Sequence, residues 1–124
     1  MPFTKDWETE GVVTTFFGAV SIEEVLKADA EFYEDPRSDQ SKYQITDFSG
    51  ITAELVNDVA IQKISALDAG SSIAIPSLKV ALVTSDEYVK SLCQKYIDYS
   101  RLLNSTWKFK ICEDMQSARK WVSG

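Results

Sequence analysis

Hydrophobic and polar residues along this chain alternate in some segments and recur every three or four positions in others. Alternation is typical of half-buried strands, and the longer spacing is typical of amphipathic helices. The segments "TKDW" and "GVVTTFFG" show the first pattern, and polar turn-forming residues separate them. We therefore predict an N-terminal β-hairpin whose turn lies in Glu8–Gly11.

The first helix is predicted in "SIEEVLKADAEFYED", where Ile22 and Val25 begin an apolar stripe. Ser21 and Glu24 form a capping box, so this helix is expected to begin at Ser21. Pro36 lies just beyond its expected end, and proline is not compatible with a helix interior.

A second helix is predicted in "TAELVNDVAIQKISALDAG", directly after the strand "KYQITDF". Gly70 is expected to end this helix, because glycine readily adopts the backbone conformation that follows a helix. The residues of its predicted apolar stripe are Val56, Val59, Ala60, Ile64 and Leu67.

A second capping box, Thr84 with Glu87, predicts a long helix from about Asp86 to Leu103 after the apolar strand "LKVALVT". The last strand, "WKFKIC", alternates apolar residues with lysines. The closing segment "EDMQSARKWV" predicts a short helix. We expect Trp121 on it to pack into the core, because so short a helix is unstable alone.

These elements predict a single α/β domain over residues 1–124 with a mainly parallel sheet of four or five strands. The N-terminal hairpin strand is expected to pair antiparallel at or near an edge. Most of the strands are half polar, whereas strands covered on both faces are apolar almost throughout. We therefore expect the helices to lie mostly on one face of the sheet.

The net charge of −6 and the pI near 4.6 argue against nucleic acid and against anionic membranes as partners. The N-terminal segment lacks a signal-peptide pattern, and no stretch approaches the roughly 20 apolar residues of a membrane span. Cys93 and Cys112 have no CxxC spacing. We interpret them as reduced thiols, at least one of them buried, in a cytoplasmic protein.

The chain contains no histidine. This excludes a histidine general base, a Ser-His-Asp triad and imidazole metal ligands. The sequence also lacks a GxGxxG motif and a Walker lysine loop. We therefore predict no catalytic residue, no cofactor and no metal site, and any catalysis would have to use carboxylates, lysines or tyrosines.

Three segments, "KYQITDFSGIT", "LKVALVT" and "SARKWV", resemble the SpoIIAA-like family of STAS-related proteins in sequence and in element order. The founding members of that family are bacterial anti-sigma factor antagonists, and the resemblance is strongest to an uncharacterised branch. It implies a β-α superhelix with helices on one side, and a regulatory module that binds another protein.

This chain departs from the family at one motif. The founding members carry an Asp-Ser-Ser-Gly motif whose serine is phosphorylated by a partner kinase, whereas this chain reads "GITAELVND" at the corresponding place. We therefore expect structural roles for Ser49 and Thr52, and a module without the phosphoserine switch.

Acidic and hydroxyl residues follow three of the predicted strands. Ligands of open α/β sheets usually bind at the carboxyl ends of the strands. The same residue types also form turns and helix caps, and this is the interpretation that we favour. The residues of this predicted ligand or partner rim are Asp47, Ser49, Thr84, Ser85, Asp86, Glu113 and Asp114.

Asp29 falls on the apolar stripe of the first helix and would be a site candidate if it were buried, although we expect it at the boundary. The chain also carries more aromatic surface than one core stripe needs, which predicts a homodimer formed through a face rather than an edge. The aromatic residues considered for that face are Phe16, Phe17, Phe48, Tyr88, Tyr96 and Tyr99.

Three functions remain open from the sequence. The leading hypothesis is a non-catalytic module that binds a protein partner. The alternative is a carrier of a small apolar or lipid-like ligand, because the resemblance extends to a fold that is sometimes grouped with lipid-carrier domains. The third is an enzyme that uses carboxylates. An internal apolar cavity would favour the carrier. A flat apolar face would favour the module that binds a protein partner. Two facing carboxylates in a pocket would favour the enzyme.

Overall fold

The computed structural model describes residues 3–55 and 58–124, which form one mixed sheet with helices on both faces. The strands are β1 (Phe3–Trp7), β2 (Gly11–Ser21), β3 (Tyr43–Leu55), β4 (Lys79–Val83) and β5 (Lys108–Cys112). The helices are α1 (Ile22–Glu34), α2 (Asp58–Ser71), α3 (Glu87–Leu102) and α4 (Met115–Ser123), with a 3₁₀ turn at Pro36–Gln40. No helix in these ranges is long and apolar enough to cross a bilayer.

The strands lie in the order in which they occur along the chain, β1-β2-β3-β4-β5. β1 pairs antiparallel with β2, and the remaining pairs are parallel. The hairpin turn is closed by a hydrogen bond from the Glu8 amide to the Gly11 carbonyl at 2.8 Å. The predicted hairpin, the mainly parallel sheet and the α/β class are thus confirmed.

Three helices cover one face of the sheet and one helix covers the other, as the half-polar strands indicated. On the first face, Val12 and Leu82 pack with Phe32 of α1 and Val89 of α3. α2 lies against α1 and α3 on the same side. On the second face, α4 places Ala118 against the buried residues of β2, β3 and β4.

Two of the three strand aromatics considered for a self-association face lie elsewhere. Phe16 is 1% exposed and stacks on Phe48 with ring centroids 5.4 Å apart, and both rings line the space below the helices. Phe17, the third of these strand aromatics, is 44% exposed. The expectation that Phe16 and Phe48 contribute to a self-association surface is therefore wrong, because the helices on the first face already cover them.

The capping box of α1 is confirmed. The Glu24 amide donates to Ser21 Oγ at 3.2 Å, and the Ser21 amide donates to Glu24 Oε1 at 3.0 Å. The helix ends at Glu34, before Pro36 begins the 3₁₀ turn. The first helix therefore occupies the range that local sequence signals predict.

The boundary between β3 and α2 differs from the sequence prediction. The helix was expected from Thr52, but β3 continues to Leu55 and α2 begins at Asp58. The long strand β2 accounts for this, because it pairs with β3 as far as Ser21 and holds the backbone extended. Val56 of the predicted stripe lies outside the described residues.

α3 begins at Glu87 with a different cap from the one predicted. Asp86 is the N-cap, and its Oδ1 accepts from the Val89 amide at 3.0 Å. Thr84 does not serve as the cap because it continues the pairing of β4 with β5. Its amide donates to the Cys112 carbonyl at 2.9 Å. Its hydroxyl instead accepts from the Asp86 amide at 3.1 Å.

The two tryptophans of the C-terminal region are buried to different extents. Trp107 is 5% exposed, and its indole Nε1 donates to the Ile75 carbonyl at 2.5 Å. Trp121 is only half-buried beside the Ala118 cluster, so the expectation that it packs fully into the core is wrong. Part of α4 is instead held by Arg119, which forms a two-point ion pair with Glu8 at 2.6 Å.

We predict that Trp107→Ala lowers the free energy of unfolding by about 3–5 kcal/mol, as expected for a fully buried aromatic residue. Trp121→Ala should cost only about 1–2 kcal/mol, because a half-buried side chain loses less apolar contact. Urea unfolding of both variants measures the difference. Equal losses would contradict the different burial of the two rings.

Candidate functional site

The sheet register brings the predicted rim residues to one edge. Asp47 pairs with Val83, which in turn pairs with Cys112, so Thr84 and Glu113 follow at the same level. Asp47 was expected at the carboxyl end of its strand, but β3 continues beyond it and pairs with β2. It does lie where the β3–β4 ladder ends.

Most of the rim side chains are engaged in local turns and caps. Asp47 accepts from the Ser49 amide at 3.0 Å and from its hydroxyl at 2.6 Å. Asp114 caps α4, and the hydrogen bond from the Ser117 amide lowers the pKa of the Asp114 carboxyl. Glu113 accepts from Lys90 at 2.7 Å, and Ser85 is exposed.

The rim shows no metal-binding arrangement. Within residues 3–55 and 58–124, no three carboxylates or thiolates are grouped so that they could hold an ion. Oxygen-ligand sites for calcium or magnesium require several such groups to converge. The rim is therefore an acidic edge in which each carboxylate described above has a local partner.

A cavity of about 110 Å³ lies between the sheet and helices α1, α2 and α3. Most of its walls are apolar, and polar groups from six different elements reach it. The apolar lining includes Val12, Phe16, Val20, Ile22, Ala28, Phe32, Phe48, Ile61, Ile64, Leu82, Val89 and Leu92. The polar lining consists of Lys5, Thr14, Asp29, Gln44, Thr46 and Asp68, with the phenol of Tyr96.

Asp68 of α2 is the most buried acid of this lining, at 2% exposed. Its Oδ1 accepts from the Tyr33 hydroxyl at 2.7 Å, and its Oδ2 accepts from the Tyr96 hydroxyl at 2.5 Å. Burial raises the pKa of the Asp68 carboxyl, and these hydrogen bonds oppose that rise. Both oxygens of this carboxylate therefore have donors.

Asp29 of α1 lies beside Asp68 and forms a carboxyl pair with it. Burial raises its pKa well above the ordinary value, and the charge of Asp68 and a hydrogen bond to it raise the pKa further. Two neighbouring buried carboxyls cannot both be charged at low cost, so they share one proton. Neutral Asp29 then donates to the charged Asp68.

Lys5 of β1 is a basic group close to this pair. Its ammonium donates to Thr14 Oγ1 at 3.3 Å. Burial lowers the pKa of Lys5, and the nearby carboxyl groups of Asp29 and Glu31 partly oppose that effect. With one proton shared by the two carboxyls, the lysine and the pair together carry no net charge.

Two polar atoms of the cavity lining have no hydrogen-bond partner. They are Asp29 Oδ2 and Gln44 Nε2, and both are buried. An unpaired buried polar atom costs about 1–3 kcal/mol, so each is expected to meet a complementary group. One of these atoms is an acceptor and the other is a donor.

Of this site, sequence analysis singled out only Asp29, and placed it at the boundary between the core and the surface. The side chain as a whole is half-buried, in keeping with that expectation, whereas its Oδ2 atom is buried. Sequence analysis missed Asp68. Its signal is a charged residue on the apolar stripe of α2, four residues after Ile64 and seven after Ile61. Gln44 and Lys5 lie on strands in which polar and apolar residues alternate. No local pattern in such a strand distinguishes a cavity residue from a boundary residue.

The topology and the helix arrangement define a SpoIIAA-like fold, and solved structures share it. The unphosphorylated anti-sigma factor antagonist SpoIIAA superposes with a TM-score of 0.64 at 15% identity, over 98% of this chain and 98% of that one. The phosphorylated SpoIIAA of Bacillus, described as a cell fate determinant, gives 0.60 at 12% identity, over 96% and 98%.

A third structure with this fold is an uncharacterised DUF3478-family protein from Shewanella loihica PV-4. It superposes with a TM-score of 0.55 at 12% identity, over 97% of this chain and 91% of that one. No protein-family model matches the sequence, and no curated protein is detectably similar to it. The predicted SpoIIAA-like fold is thus confirmed, and identities this low establish the fold alone.

We predict that Asp29→Asn gains stability relative to the unmodified protein as the pH rises from about 4 towards neutrality. The pKa of Asp29 is raised in the folded state, so its contribution is full below the unfolded value near 4 and is lost as the pH rises through the folded value. Asparagine stays neutral and can still donate to Asp68.

Urea unfolding at several pH values measures this difference, with Asp6→Asn at an exposed position of β1 as the matched control. The comparison between variants is needed because Asp35 and Asp114, whose pKa values are lowered, make the whole protein less stable in acid. A difference between Asp29→Asn and the unmodified protein that stays constant with pH would contradict the shared proton.

Proposed function

We propose that this chain is a non-catalytic binding module whose cavity takes up a small, mainly apolar molecule. The observation that supports it is the cavity between the sheet and the three helices, with apolar walls and a few converging polar groups. This combination is the usual form of a small-molecule site. It is also the feature that favours the carrier hypothesis over the protein-binding one.

The size of the cavity limits the ligand. An apolar cavity of about 150 Å³ in another protein binds benzene, so the smaller volume of about 110 Å³ limits the ligand to about the size of one six-membered ring. The aromatic rings of Phe16 and Phe48 form one wall, and Phe32 lies on another. Planar apolar molecules would pack well against such rings.

The carboxyl pair does not by itself support catalysis. Two carboxylates in a pocket would favour an enzyme, but Asp68 has a tyrosine donor at each oxygen and accepts from Asp29 as well. A general base needs a free lone pair within reach of the substrate proton. We therefore infer that Asp68 connects the helices and that the module binds without turnover.

A protein partner is the second candidate function, and the likeness to an anti-sigma factor antagonist favours it. The acidic edge formed by Asp47, Asp86 and Glu113 would suit a basic segment of such a partner. Cys93 and Cys112 are free and buried, which supports a reducing compartment, the cytoplasm.

We predict that toluene stabilises the protein, because it fills the cavity without requiring a hydrogen bond. At ten times its Kd, the gain in unfolding free energy is about 1.4 kcal/mol. Ala28→Leu is the matched variant, since Ala28 is 2% exposed and lines the cavity, and a larger side chain there should abolish the effect. Thermal unfolding with and without toluene measures both.

Absence of any toluene effect on the unmodified protein would contradict a ligand-binding cavity. An equal effect on Ala28→Leu would place the toluene elsewhere. Native mass spectrometry of the protein purified from its own host would then show the natural ligand, or the protein partner, with its stoichiometry.

We also propose self-association through a face, now with Phe17 as the contributing aromatic of the strands. Sedimentation equilibrium at micromolar concentration should give a mass that rises above the 13.9 kDa of one chain. Phe17→Ser should reduce the association, because it removes an apolar side chain that is 44% exposed. A mass of one chain at every concentration would contradict the dimer. We expect no contact through β5, because its exposed Lys108 and Lys110 oppose strand pairing.

A further inference from the structure

Two unpaired atoms in the cavity lining indicate which chemical group the ligand carries. Asp29 Oδ2 can accept a hydrogen bond, Gln44 Nε2 can donate one, and neither has a partner. Gln44 is 9% exposed and lies on β3 opposite Val12, and Val12 packs against Phe32, one helical turn after Asp29. Both residues line the same cavity of about 110 Å³.

We propose that the ligand carries one hydroxyl group, which donates to Asp29 Oδ2 and accepts from Gln44 Nε2. A hydroxyl is the smallest neutral group that both donates and accepts. This inference rests on the proposed binding function and adds the polar group to an otherwise apolar ligand. The apolar walls would hold the body of the molecule.

The charges around the cavity favour a neutral ligand over an ion. The groups that face Asp29 are Lys5 from β1, Tyr33 from α1, Asp68 from α2 and Tyr96 from α3. Lys5 balances the single negative charge of the carboxyl pair, and Glu31, whose charge also acts on Lys5, does not line the cavity. A charged ligand would therefore bring an uncompensated charge into the interior.

The hydrogen-bond types also discriminate between ligands. A carboxylate has no proton to donate to Asp29 Oδ2, and an ammonium has no lone pair to accept from Gln44 Nε2. Each would leave one of the two protein atoms unpaired. A ligand with only apolar atoms would leave both unpaired, and such sites reject analogues that lack the required polar group.

Four probes of similar size test this with the unmodified protein: phenol, toluene, benzylammonium and benzoate. Phenol and toluene differ only by a hydroxyl in place of a methyl group. We expect the Kd of phenol, measured by calorimetric titration at pH 7, to be at least about tenfold lower than those of the other three.

Variants assign the effect to the two atoms. Asp29→Leu and Gln44→Met each remove one polar partner, and either should reduce the preference for phenol over toluene to about twofold or less. Asp29→Asn keeps an acceptor oxygen while its amide donates to Asp68, so it should retain the preference. Asp39→Leu, at an exposed position of the 3₁₀ turn, is the control and should not change it.

The outcomes separate the two proposals. If toluene binds as tightly as phenol, the hydroxyl inference is wrong and the apolar binding site stands. If benzylammonium or benzoate binds most tightly, the ligand is an ion of that charge and the inference is again wrong. If none of the four binds, both the inference and the proposed function fail.

Discussion

The buried Asp68 carboxylate connects the three helices on one face of the sheet. It belongs to α2, and it accepts from Tyr33 of α1 and from Tyr96 of α3. Removing any one of the three partners would leave a buried polar group unpaired, so the positions of the helices relative to one another depend on this network. The proton held by Asp29 completes the network from a second position on α1.

This network also gives a physical reason for the cavity. Protein cores normally pack without empty space, because the atoms that line a void lose dispersion contacts. Here the helices are fixed by hydrogen bonds of defined length, and the stacked Phe16 and Phe48 rings hold the sheet side. The apolar walls between these two constraints cannot approach each other without breaking one of them.

Local sequence signals predicted the fold well where short-range interactions decide the structure. The Ser21–Glu24 capping box and the Glu8–Gly11 turn are formed within a few residues of the chain. The prediction failed where distant pairing decides: β2 holds β3 extended to Leu55, past the predicted start of a helix. Asp29 was visible as a charge on an apolar stripe, but its partner Asp68 lies on another helix, and single-helix patterns do not show which helices meet.

The SpoIIAA-like fold has two separate candidate binding sites. One is the acidic edge at the strand ends, and the other is the cavity between the sheet and the helices. Most of the carboxylates at the edge are engaged in caps, a turn or an ion pair, so their hydrogen-bonding capacity is largely used within the protein. The cavity is the opposite case, because Asp29 Oδ2 and Gln44 Nε2 remain unpaired there despite their burial. A buried unpaired atom is costly, whereas an exposed one can bind water. The binding of a complementary ligand in the cavity would therefore relieve a cost that the folded protein already bears, and the acidic edge offers no comparable gain.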